Sequence, residues 1–143
     1  MTERQQEYLE TINRSGGHLL ALIDDVLDMA KIEAGQIVAE PSETDFSRML
    51  LDVERMFSLR ANEKGLNFEF QVEESLPLTI ITDSAKIRQV LINLLGNSIK
   101  FTDEGSIVVA IRCEEQPDHQ LAIQIDVADT GLGIAAEEQE VIF

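Results

Sequence analysis

The sequence predicts an α+β fold in which helices pack on one side of a mixed sheet, preceded by one long helix. Three observations carry this. Residues 9–30 repeat apolar positions at alternating spacings of three and four, the period of a helix seam. Residues 66–72, 106–113 and 121–129 alternate apolar and polar side chains, the period of half-buried strands. The resulting order of helix, strand, helix and two hairpin-like strands favours an antiparallel or mixed sheet with its helices on one face.

The first block, YLETINRSGGHLLALIDDVLDMAKIEAG, reads as one helix. Leu9, Ile12, Gly16, Leu19, Ile23, Val26 and Ala30 form its seam, and Leu20 and Leu27 widen the stripe toward a four-helix arrangement. Glu10, Asp24, Asp25 and Lys31 flank the seam, so the helix needs apolar partners. Gly16 and Gly17 weaken it, each by about 1 kcal/mol relative to alanine, and Gly35 supplies a stop. Residues 36–46, with Pro41, read as a linker. Residues 1–40 and 41–143 are thereby expected to form separate units.

A second helix starts near Ser47 and carries Leu50, Val53, Met56 or Phe57, and Arg60 or Ala61 before Gly65 ends it. LNFEFQV then places Leu66, Phe68, Phe70 and Val72 on one face of a strand, with Pro77 in the following connection. Asp83 can cap a third helix, which gives way to the turn Asp103-Glu104-Gly105. The strands SIVVAIRC and LAIQIDVAD flank a polar loop, EEQPDHQ. Ile107, Val109 and Ile111 share one face of the first, and Ile123, Ile125 and Val127 one face of the second.

Composition bounds the function. Eleven basic residues against 27 acidic give a net charge of -16, without the Lys/Arg cluster that a nucleic-acid backbone requires. An isolated nucleotide could bind only with metal ions and local dipoles offsetting the repulsion. The single cysteine, Cys113, excludes an internal disulfide and reads as a small core residue. No run approaches the roughly 20 apolar residues that span a bilayer, so this segment is expected to be cytoplasmic with no direct membrane contact. An anchor elsewhere in a longer product stays open.

Within QVLINLLGNSIKFTDEG, Asn93 and Asn97 lie one helical turn apart on the same side, and Lys100 is reachable from that face. The apolar set Ile87, Val90, Leu91, Leu94 and Leu95 accounts for burial but not for the asparagines. Amide oxygens suit magnesium, and a nearby lysine can compensate phosphate charge. The plainer reading is that both asparagines cap neighbouring loops. A second signal, DTGLGI at 129–134, follows a strand directly. Gly131 and Gly133 permit backbone angles and close approach that a side chain forbids, and Asp129 could accept a purine amino hydrogen. The motif is not the dinucleotide fingerprint, which needs GxGxxG opening a βαβ unit.

The two signals in this order resemble the sensor histidine kinases of two-component systems. NLLGNSIKFT is similar to the N box and DTGLGI to the first glycine box of that family's ATP-binding domain. The opening block resembles the second helix of the dimerisation and phosphoacceptor domain, and the wording is most like the hybrid-type kinases. The resemblance implies a Bergerat-type ATPase α/β sandwich, here incomplete. It implies ATP and Mg2+ as ligands, with Asn97 on the metal and Asn93 in the metal or phosphate shell. It further implies Lys100 on phosphate, Phe101 along the pocket, Asp129 on the adenine amino group, and Gly131 and Gly133 in the closing loop. Ser98 stands where alanine is more usual.

The resemblance also marks what these 143 residues lack. The phosphoacceptor histidine belongs to a preceding helix, and neither His18 nor His119 sits in its motif, so no catalytic residue is assigned. EEQEVIF approaches the F box, with Phe143 as its first aromatic, but no lid or second glycine box follows. The implied parent is an ATP-dependent protein-histidine kinase that passes phosphate to a response-regulator aspartate. The segment itself is expected to be inactive, and to form a homodimer or domain-swapped oligomer through its first helix. A non-catalytic signalling adaptor pairing with kinases through that helix is the alternative. A chaperone or topoisomerase member of the same ATPase group is a third reading, disfavoured by KIEAG.

Overall fold

In the computed structural model, which describes residues 1–142, the chain divides into two units, residues 1–39 and a second beginning at Glu40. The first is helix α1, Glu3–Glu33. Thr2 caps it reciprocally: its hydroxyl accepts the Gln5 N–H at 3.3 Å, and the Gln5 side-chain oxygen accepts the Thr2 N–H at 2.8 Å. The helix runs unbroken through Gly16 and Gly17, and Gly35 follows its end at φ +65°. None of its residues is buried, and the seam positions Leu9, Ile12, Leu19, Ile23 and Val26 are all exposed.

The second unit runs β1 (Ser42–Asp45), α2 (Phe46–Glu63), β2 (Asn67–Val72), β3 (Thr79–Thr82), α3 (Ser84–Phe101), β4 (Ser106–Gln116), β5 (Gln120–Asp129) and α4 (Ala136–Ile142). Its main sheet is mixed, in the order β2-β4-β5, with β2 parallel and β5 antiparallel to β4. The α+β class and the mixed sheet are as the sequence predicts. Strands β1 and β3 form a separate antiparallel pair. β1 lies inside the stretch expected to be linker, and β3 in the connection after Pro77. At four residues each, SETD and TIIT are too short for alternation to declare them.

Register makes one face of the sheet. Ile107 pairs with Phe68 and Asp129, Val109 with Phe70 and Val127, and Ile111 with Val72 and Ile125. The apolar sets of the two long strands therefore share a single face, and helices α2 and α3 cover it. Phe46, Leu50, Val53, Phe57 and Ala61 of α2 meet Leu91 and Leu95 of α3 over Ile107, Val109 and Ile111. Full burial settles Phe57 over Met56 and Ala61 over Arg60. Each such large side chain contributes about 1.5–3 kcal/mol on leaving water.

Two expectations change. The β4–β5 ladder continues to Gln116 opposite Gln120, so the polar loop shrinks to the 3-10 turn Pro117–His119, with Asp118 and His119 at positive φ. Short polar residues tolerate that region better than branched ones. Cys113 is only half-buried: its Sγ lies 3.5 Å from Ser75 Oγ and its N–H donates to Glu73 Oε2 at 2.8 Å. Phe143, the expected F-box aromatic, lies outside the described residues.

Candidate functional site

The site begins at the N-terminus of α3. Asp83 caps the helix by accepting the Lys86 N–H at 3.1 Å on Oδ1. Its Oδ2 accepts from Lys86 Nζ at 2.6 Å and from the Glu40 N–H at 2.9 Å, tying the start of this unit to the helix 43 residues later. The Lys86 side chain, then these backbone donors, hold the Asp83 carboxyl down from 3.8 to about 2.

Along α3 two faces separate. Leu91, Leu95 and Ser98 are buried toward the core. Asn93 and Asn97 are exposed on the opposite side, and so are Val90 (56%), Leu94 (45%) and Phe101 (49%). Val90 and Leu94 were expected to serve burial. They instead flank the asparagines, because they fall at the helical positions that share the amide face. Lys100 is exposed too, and its Nζ stands 5.0 Å from the centre of the Phe101 ring.

The glycine loop docks onto the C-terminal end of this helix. Leu132 N–H donates to Phe101 O at 3.3 Å, and Thr130 N–H to Ser106 O at 3.1 Å. Thr130 Oγ1 in turn accepts the Ser106 N–H at 3.1 Å. Asp129, at the end of β5, folds its Oδ1 back onto the Gly131 N–H at 3.0 Å. The two glycines serve different ends. A Cβ on Gly131 would stand 2.5 Å from Phe101 O, 2.9 Å from Thr102 Oγ1 and 3.0 Å from Asp129 Oδ1. Gly133 has open space around it but adopts φ +70°. Leu132 and Ile134 are exposed beside them.

Asp129, Gly131 and Phe101 are thus brought together, with Asn97 one helical turn before Phe101 and Asn93 a turn before that. A cleft of about 310 Å³ opens here, lined by Phe101, Asp103, Glu104, Thr130, Gly131 and Leu132. A larger groove of about 770 Å³, bounded by Ile81, Ile87, His119 and Leu121, contains none of the residues expected to bind nucleotide. The smaller cleft contains Phe101 and Gly131 and is therefore the stronger candidate site. Among the described residues no three His, Cys, Asp or Glu side chains gather to hold a metal.

Comparison with known proteins matches two family models to the chain. The family described as histidine kinase-, DNA gyrase B-, and HSP90-like ATPase matches residues 82–143, and the His Kinase A (phospho-acceptor) domain matches residues 1–35. The chain belongs to the sensor histidine kinases. Hybrid signal transduction histidine kinase L of Dictyostelium discoideum is 37% identical over the whole chain, which spans 8% of that relative's length. Signal transduction histidine-protein kinase BarA of Escherichia coli (strain K12) is 33% identical, again over the whole chain and 16% of its own length. Among solved structures, full-length ShkA in complex with AMPPNP superposes with a TM-score of 0.78 and 34% identity, covering 96% of this chain and 28% of that one.

The candidate site has supports that sequence reasoning missed. Lys64, just past α2, donates from Nζ to the last carbonyls of α3, Ile99 O at 2.7 Å and Lys100 O at 3.3 Å, and pairs with Asp103 at 3.3 Å. A cation there satisfies orphan carbonyls and complements the negative end of the helix dipole. No local pattern announces a contact across 35 residues. Thr102, the C-cap of α3, is fully buried, and its hydroxyl has no hydrogen-bond partner among the described residues. Its place in a polar KFTDE run gave no sign of that.

Proposed function

We propose that the chain is part of an ATP-dependent protein-histidine kinase whose parent autophosphorylates and passes the phosphate to a response-regulator aspartate. Residues 41–143 are the first part of its ATP-binding domain, and residues 1–40 the second helix of its dimerisation hairpin with the linker. The observation that carries the reading is the docking of the glycine loop on the end of the asparagine-bearing helix through Leu132 and Phe101.

The residues present fit a magnesium nucleotide. Val90, Leu94 and Phe101 expose apolar area around two amides, which costs stability unless a ligand covers it. Gly131 leaves room at a place where any Cβ would strike backbone. Asn97 would offer its amide oxygen to Mg2+, Asn93 would support the metal or phosphate shell, and Lys100 would meet phosphate as a point charge. Phe101 would line the pocket, Asp129 would accept from the adenine amino group, and Gly131 and Gly133 would let the loop close. Bound Mg2+ offsets phosphate charge, which matters on a chain of net charge -16.

Phosphoryl transfer rests on positioning and charge stabilisation. These 143 residues carry neither an H box nor a lid segment, so by themselves they should bind ATP weakly and not autophosphorylate. The exposed seam of α1 supports pairing between copies of the chain.

Calorimetric titration with ATP and Mg2+, beside Asn97→Ala, tests the reading. Saturable, magnesium-dependent binding lost in the variant is expected. A folded chain that binds no ATP would contradict a nucleotide half-site in these residues and leave the kinase reading of the parent standing. Turnover or self-phosphorylation would contradict the assignment of inactivity.

A further inference from the structure

The three long helices end in different ways. Helices α1 and α2 are closed by the chain that follows them. Gly35 and Gly65 come after their ends at φ +65° and +76°, and their last turns accept from the N–H groups of Gly35, Gln36, Gly65 and Leu66. Helix α3, which carries Asn93 and Asn97, instead passes into an extended C-cap at Thr102, with φ -109° and ψ 113°. Its last three carbonyls turn to residues far away in the chain. Ile99 O and Lys100 O accept from Lys64 Nζ at 2.7 and 3.3 Å, and Phe101 O accepts the Leu132 N–H at 3.3 Å.

The lysine reaches α3 from a fixed base. Its backbone N–H closes α2 on Arg60 O and Ala61 O at 3.3 and 3.1 Å, and Phe57 and Ala61 of that helix are fully buried. Holding two carbonyls constrains the third, because a peptide unit is planar: fixing Lys100 O also fixes the nitrogen and Cα of Phe101. The same ammonium pairs with Asp103 Oδ1 at 3.3 Å, but that side chain is 84% exposed, where an ion pair contributes little. The two carbonyl bonds therefore carry the effect. Phe101, Asp103 and Leu132 all line the 310 Å³ cleft.

We propose that Lys64 is a positioning residue for the nucleotide. By fixing the last turn of α3 it holds the Phe101 carbonyl where the glycine loop docks, and so keeps Asp129 in register with Asn97. It acts through Phe101 and Leu132 rather than by contact with the ligand. This deepens the ATP-binding reading and rests on it.

The test is calorimetric titration with magnesium and ATP of the wild-type chain, Lys64→Met, Lys64→Arg and the double variant Lys64→Met/Asp103→Asn. Amide hydrogen exchange at Leu132 is measured on each. Lys64→Met should bind ATP about 2- to 5-fold more weakly, the factor that one cation at a helix end commands, and its Leu132 amide should exchange faster by a similar factor. Lys64→Arg keeps cationic donors and should recover both properties. The double variant has the wild-type net charge but lacks the carbonyl bonds, so it should stay as weak as Lys64→Met. Recovery in the double variant would show that Lys64 only neutralises Asp103, and would overturn the role. Wild-type affinity in folded Lys64→Met, or equal losses in Lys64→Arg and Lys64→Met, would overturn it while leaving ATP binding intact. A Lys64→Met chain whose circular dichroism shows it unfolded would make the lysine structural and end the proposal. Failure of the wild-type chain to bind ATP would overturn the nucleotide half-site, and this role with it.

Discussion

The backbone N–H of Leu132 donates to the carbonyl of Phe101 across 3.3 Å, fastening the glycine loop to the last residue of α3. One bond joins segments 31 residues apart in the chain and sets Asp129 beside the end of the helix that carries Asn93 and Asn97. Everything proposed for the nucleotide depends on that closeness, and Gly131 is what permits it.

Replacing Gly131 by alanine should therefore be worse than replacing Gly133. At 131 the new methyl meets the Phe101 carbonyl at 2.5 Å, and backbone must move; overpacking of this kind costs roughly 1–3 kcal/mol. At 133 only the φ of +70° resists, worth about 1 kcal/mol. Urea unfolding of the two variants should rank Gly131→Ala below Gly133→Ala, and equal stabilities would contradict the crowding at 131.

Lys64 should hold the C-terminal end of α3 in place. Lys64→Met removes a cation from the Ile99 and Lys100 carbonyls and should cost about 0.3–1 kcal/mol at low salt, less at high salt. Thermal melts at two ionic strengths read this directly. A loss independent of salt would point to lost packing of the lysine stem instead.

Acid should weaken the fold partly through Asp83. Its folded-state pKa of about 2 lies below the ordinary 3.8, so its stabilising contribution is complete above pH 3.8 and disappears as pH falls toward 2. Asp83→Asn keeps a capping side chain but loses the charge paired with Lys86. The stability gap between wild type and Asp83→Asn should be constant above pH 3.8 and close between that pH and 2. A gap that persists at pH 2 would mean that charge is not its source.

In α1, a Cβ at Gly16 or Gly17 would meet nothing within 4 Å. Alanine at each should raise helix stability by about 1 kcal/mol, seen as stronger helical circular dichroism with a higher melting midpoint. A fall would show that copies of this helix pack closely at the glycines.

Much of this was legible in the sequence because period and punctuation are local. The alternation of Ile107, Val109 and Ile111, the Asp83 cap and the stop at Gly65 each follow from neighbours in the chain. The motifs gave the face of α3 that carries Asn93 and Asn97. What stayed hidden depends on distant partners. Strands β1 and β3 exist because they pair with each other, and Val90 and Leu94 are exposed because α2 and the sheet occupy the other side of α3. Lys64 and Thr102 matter only once the end of α3 and the glycine loop have met.

The most direct test of the central claim is amide NMR of the chain titrated with ATP and Mg2+. Shift changes should concentrate at Asn93–Phe101 and Asp129–Gly133 and vanish when magnesium is chelated. Changes centred instead on Ile81, His119 and Leu121, in the larger groove, or a spectrum that does not respond at all, would contradict a nucleotide site built from α3 and the glycine loop.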